Sequence, residues 1–209
     1  VMIVRSLDRN EIRIIRPDAP DRGLTIIHSE TSAPDFRAAT IFDGDLILVY
    51  YDNPTLKNYV ARYRWSTDGY ALTTAPFPLP SFEDPAGSTY EMIPAVFLLP
   101  RDDALFLVAG NLSVEIGVDN VLNEQRLANC SRSLESVVTS GGPVALCIQK
   151  IEKGQSSPFE LIGPEGIELP VIGKGIPYNL QANGDVVSIT EATNSSDFAA
   201  MLRFDVERL

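Results

Sequence analysis

At 209 residues and 22.9 kDa, with 44% hydrophobic and 22% charged side chains, the chain has the composition of a folded globular protein, without the bias of collagen, coiled coil or disorder. Seventeen Lys and Arg against 28 Asp and Glu leave a net charge of −11, a field that repels phosphate backbones and anionic headgroups, so nucleic-acid binding is not expected. The longest near-apolar stretch, Ile93–Pro100, is far shorter than the roughly 18 residues of a spanning helix, so no membrane insertion is expected.

The first segment reads as strands at Met2–Arg5, Glu11–Arg16 and Leu24–His28. Its arginines, Arg5, Arg9, Arg13, Arg16 and Arg22, alternate with Asp8, Glu11, Asp18 and Asp21, which is the pattern of a solvated face and not of a basic patch. The chain opens on Val1-Met2 without the basic-then-apolar order of a signal peptide, so the expectation is that there is none or that it has been removed. His28 is the single histidine, and any Ser-His-Asp machine must use it. No Gly-x-Ser-x-Gly elbow accompanies it, and a strand-end histidine is more ordinarily a surface residue.

Strands follow at Arg37–Phe42, Asp45–Tyr51 and Tyr59–Ser66, with the bend Asp43-Gly44 between the first two. Tyr50, Tyr51, Tyr59, Tyr63, Trp65 and Tyr70 crowd into this region. Strand alternation puts Tyr59, Ala61, Tyr63 and Trp65 on one face and Val60, Arg62 and Arg64 on the other. Rigid rings with polar tips stack on sugars or on a partner protein, so Tyr59, Tyr63, Trp65 and Tyr70 are the candidate ligand-binding residues. The competing reading is packing between twisted sheets. A proline-rich insert, 75–92, alternates proline with Phe77, Leu79 and Phe82 and reads as a pre-extended segment that packs on its own domain, covers one end of the fold or docks to another subunit.

Further strands read at Ala95–Leu99, Ala104–Ala109, Ser113–Val118, Val144–Ile151, Phe159–Ile162, Glu168–Val171, Asn179–Ala182, Val186–Glu191 and Ala199–Val206. The best helical candidate is Val118–Leu134, where Val121, Leu122, Gln125 and Ala128 fit a 3.6 spacing, weakened by Asn120, Asn123 and Asn129, so at most a turn or two is expected. Cys130 and Cys147 lack a CxxC partner set, which argues against zinc. Cys147, inside Val144–Ile148, is read as a buried free thiol in preference to a bridge. Three acceptor triplets begin at Asn111, Asn129 and Asn194 and lean toward a secreted glycoprotein.

Tight bends at Asp43-Gly44, Asp102-Asp103, Gly141-Gly142 and Asn183-Gly184 each lead from one apolar strand into a more hydrophobic one. Units of about 40 residues built this way are the mark of propeller blades. The expected architecture is therefore one all-β domain over 1–209, a β-propeller of about five blades or part of a larger ring, with residues 1–32 supplying a fifth unit or completing the last blade. A β-sandwich is the alternative. The expected function is a non-catalytic binding module for a carbohydrate or protein partner, including another chain that completes the ring, with no cofactor and no metal. The other class is a cofactor-free enzyme, a glycosidase-like hydrolase or an isomerase or cyclase. Such an enzyme draws on turn carboxylates among Asp43, Asp45, Asp102, Asp103, Asp185, Glu83 and Asp84, although turn aspartates ordinarily serve the local backbone. The oxygen-rich run Asp119, Asn120, Asn123 and Glu124 reads as a solvated loop or, less simply, a partial calcium shell.

Overall fold

The computed structural model describes residues 2–6, 11–16, 18–28, 34–82, 95–127, 130–149, 159–163, 168–170, 176–184, 186–192 and 199–205. They form strands and turns only. The strands are β1 (Met2–Ser6), β2 (Glu11–Arg16), β3 (Ala19–His28), β4 (Asp35–Phe42), β5 (Asp45–Asp52), β6 (Lys57–Ser66), β7 (Gly69–Leu72), β8 (Phe77–Pro78), β9 (Val96–Arg101), β10 (Ala104–Ala109), β11 (Leu112–Ile116), β12 (Val121–Arg126), β13 (Cys130–Thr139), β14 (Gly142–Gln149), β15 (Phe159–Ile162), β16 (Glu168–Pro170), β17 (Ile176–Asn183), β18 (Val186–Ala192) and β19 (Ala199–Asp205).

They assemble into consecutive antiparallel sheets, β1-β2-β3, β4-β5-β6-β7 with β8 added on β6, β9 to β12, β13 to β16, and β17-β18-β19. Each sheet is a meander of sequence neighbours, which is how propeller blades are built, and the fold is all-β and propeller-like in that sense. Within residues 1–32, the described strands form the separate sheet β1-β2-β3. The chain divides into two compact units, one of Val1–Ser81 with Gly117–Val121 and the other of Phe82–Ile116 with Leu122–Leu209.

The bends fall where their residues demand them. Asp43 at φ 50° and Gly44 at φ 74° supply the paired positive φ values of a type I′ turn, whose twist matches the flanking strands. Gly184, at φ 62°, occupies the same region after β17. Nothing lies within 4 Å of a Cβ built at either glycine, so alanine there meets backbone strain and no clash. Gly44→Ala and Gly184→Ala should each destabilise by about 1 kcal/mol. A urea midpoint unchanged for both would remove the turn argument.

The all-β expectation extends to the helical candidate, and one cysteine expectation is corrected. In the helical candidate Val118–Leu134 the described residues form bends at 118–120, then β12 as the outer strand of its sheet and the start of β13 in the next. Leu122, one of the residues placed on the apolar helical face, is 56% exposed. Cys147 is not a free thiol: it is bonded to Cys130. β13 and β14 pair directly, with register shifts along β13, and these bring the two Cα atoms to 5.3 Å, inside the range a disulfide spans. The described half of the proline-rich insert packs on its own sheet, since Pro78 and Phe77 pair with Tyr59 and Val60 and Leu79 is buried.

Candidate functional site

The aromatic face is the first sequence candidate, and register decides where it goes. Leu46, Leu48 and Tyr50 of β5 stand opposite Tyr63, Ala61 and Tyr59 of β6, so all share one side of the sheet. Ile12 and Ile14 of β2 join Leu46, Leu48, Tyr50, Ala61, Tyr63 and Tyr70 in one core cluster. Tyr63 is 2% exposed and Tyr70 8%. Tyr59 and Trp65 are partly buried against the same cluster, Tyr59 stacked on Tyr50 at 5.6 Å and Trp65 edge-on to Tyr70 at 4.8 Å. The expected flat exposed surface is thus corrected. Tyr63 and Tyr70 fill the space between two sheets, with Tyr59 and Trp65 packed at its margin, because β2 delivers two branched side chains onto the face that alternation made aromatic.

The opposite face of the same sheet carries a charge cluster. Asp45 Oδ1 and Oδ2 accept from Arg64 Nε at 2.6 Å and Arg64 Nη2 at 2.9 Å, a bidentate pair set up by the direct opposition of the two residues. Arg62 Nε also lies 2.9 Å from Asp45 Oδ2, but its N–H is not aimed at the oxygen, so this contact is ionic only. Arg62 additionally covers the Phe42 ring at 5.9 Å. Asp45 therefore serves the fold. Asp43, Asp102 and Asp103 are exposed turn residues, whereas Asp185, Glu83 and Asp84 lie outside the described residues, as does the side chain of His28.

A pocket of about 180 Å³ opens in the second unit, lined by residues of β10, β11 and β12 and by the turn Gly141-Gly142-Pro143. Its construction is local. Gly110, at φ 57°, turns the chain between β10 and β11, pairing Ala109 with Leu112 and hence Phe106 with Glu115. Across the sheet, Asn123 of β12 donates from Nδ2 to Glu115 Oε2 at 2.6 Å. Phe106, Glu115 and Asn123 thus form a row over three strands. Further along the same face Val108 joins Leu127, Ala145 and Ile162 in a core, so the pocket is the place where this inter-sheet packing gives way to polar groups. Ser113, only 6% exposed, and Gln125 complete the lining, while Thr139 Oγ1 braces the overhanging turn by donating to Gly142 O at 3.0 Å.

Glu124 reaches the rim, but its carboxylate is held by Arg126 at 2.9 Å. Asn123 and Glu124, neighbours on a strand, face opposite sides, so the oxygen-rich run 119–124 does not gather into a shell. Among the described residues no group of three His, Cys, Asp or Glu converges on a metal site, and no helix is long and apolar enough to cross a membrane. Of the triplets, Asn111 accepts from Arg126 Nη1 at 3.3 Å and its Ser113 is buried; Asn129 and Asn194 lie outside the described residues.

No family model and no curated protein matches the sequence. Among solved structures, the chain is similar to TolB from Acinetobacter baumannii, at 12% identity and a TM-score of 0.48, covering 98% of this chain and 50% of that one. It is also similar to a candidate 6-phosphogluconolactonase from Bacteroides fragilis, at 11% identity and a TM-score of 0.48, covering 98% of this chain and 67% of that one. The chain thus spans half the length of the first of these proteins.

Proposed function

We propose that the protein is a non-catalytic binding module that contacts a carbohydrate or protein partner through the pocket of Phe106, Glu115 and Asn123. The observation that carries this reading is the cross-strand row itself. A ring, a carboxylate and an amide are fixed on rigid strands beneath a turn without side-chain bulk at Gly141 and Gly142, so the recognition groups are ordered before a ligand arrives. The Cys130–Cys147 bond favours an oxidising compartment for such a module.

A thermal-shift screen of neutral glycans and short peptides, run on the wild type and on Phe106→Ala and Glu115→Gln, tests it. A ligand at a hundred times its Kd adds about 2.7 kcal/mol to the folded state, an easily read shift. The expected result is a shift in the wild type that both variants lose. A shift that both variants retain would place binding elsewhere and reject the pocket.

A further inference from the structure

The chemistry of the pocket is one-sided, and this narrows the partner within the binding reading on which the inference rests. Asn123 spends a donor on Glu115 Oε2, and the second carboxylate oxygen, Oε1, has no hydrogen-bond partner among the described residues. Glu124 is neutralised by Arg126 at the rim. Among the described residues that line the cavity there is no lysine or arginine. What remains is a fixed carboxylate with a free acceptor, standing directly opposite an aromatic ring, in a protein of net charge −11.

A carboxylate beside a ring selects a cation: the ring's quadrupole attracts positive charge over its face, and the carboxylate accepts its N–H groups. A guanidinium satisfies both at once, because it is planar, stacks on an aromatic face and presents donors along its edge, whereas an ammonium is a strongly hydrated point charge. We propose that this pocket receives the arginine side chain of a basic segment in a protein partner. Charge complementarity with the acidic body steers that segment toward it, and Asn123 acts as a positioning residue that holds the Glu115 carboxylate.

The experiment is an NMR titration of the full chain with three blocked tripeptides, Ac-Gly-Arg-Gly-NH2, its lysine analogue and its citrulline analogue, followed by methyl β-glucoside. Citrulline keeps the shape of arginine and removes its charge. The arginine peptide should perturb the amides of β10 to β12 and of the Gly141 turn. It should bind at least tenfold more tightly than the citrulline peptide, and more tightly than the lysine peptide. Glu115→Gln, in which the amide oxygen still accepts from Asn123, should lose at least tenfold while melting like the wild type. Raising salt should weaken binding severalfold, since the contact is ionic.

Equal binding of arginine and citrulline peptides, or arginine binding that survives Glu115→Gln, would overturn the proposal. Binding of the glucoside at these amides without the arginine peptide would also overturn it, while leaving the pocket as a binding site. Silence of these amides toward all four probes would reject this inference and the binding reading of the pocket together.

Discussion

Truncating Tyr63 to alanine should destabilise the protein by about 3 to 5 kcal/mol, the usual loss when a large buried ring is removed from a core that cannot collapse around the gap. Tyr63 is 2% exposed and packs with Ile12, Ile14, Leu46 and Tyr70, so both sheets of the cluster lose contacts together. Stabilities of domains lie around 5 to 15 kcal/mol, so a loss of this size is a large fraction of the whole. Tyr63→Phe keeps the ring and should cost no more than about 1.5 kcal/mol. Urea unfolding of the two variants measures the difference. Near-equal stability of Tyr63→Ala and wild type would return the ring to the surface and restore it as a binding residue.

The same burial gives the molecule an alkaline limit. Desolvation, with Asp52 and Tyr59 adding repulsion, pushes Tyr50 up to about 12, and desolvation with the influence of Tyr50 raises Tyr63 further. The unfolded chain releases these protons near pH 10 while the folded one keeps them. Between pH 10 and the raised values the native state binds more protons, so stability falls as pH rises through that window and is complete below it. Tyr63→Phe should make this alkaline decline shallower.

The bends were legible because their cause is short-ranged: Asp43-Gly44 carries the paired positive φ values and Gly184 the single one that such dipeptides favour. The alternation of Tyr59, Ala61, Tyr63 and Trp65 was equally plain. Which side of the sheet faces inward was not, since it depends on Ile12 and Ile14 arriving from a distant strand. β12 was hidden because Val121, Leu122, Gln125 and Ala128 mimic a helical stripe, and a strand at the outside of a sheet needs little apolar alternation. Without β12 the sequence pattern gives Asn123 no neighbouring strand, so the pocket is not legible in it. A signal for half of it was present: Gly110-Asn111 taken as a two-residue turn pairs Ala109 with Leu112, and counting back from that pair sets Phe106 against Glu115.

Removing the charge of Asp45 is the second large effect. Its side chain is 2% exposed and its partner Arg62 is 10% exposed, while Arg64 is 62% exposed. Breaking a buried pair by deleting one partner leaves the other charge without compensation and costs about 3 to 5 kcal/mol, whereas exposed pairs are worth about 1 kcal/mol or less. Asp45→Asn should therefore lose about 3 kcal/mol or more, chiefly through Arg62 stranded near the Phe42 ring, and Arg64→Ala, at an exposed side chain, should lose less than Asp45→Asn. If the stranded cation is the cause, adding Arg62→Met to Asp45→Asn should recover a substantial part of the loss, because the uncompensated charge goes with it. Denaturant unfolding of the two single variants and the double variant decides the matter. A double variant less stable than Asp45→Asn would show that Arg62 contributes by covering Phe42 and not through its pairing with Asp45.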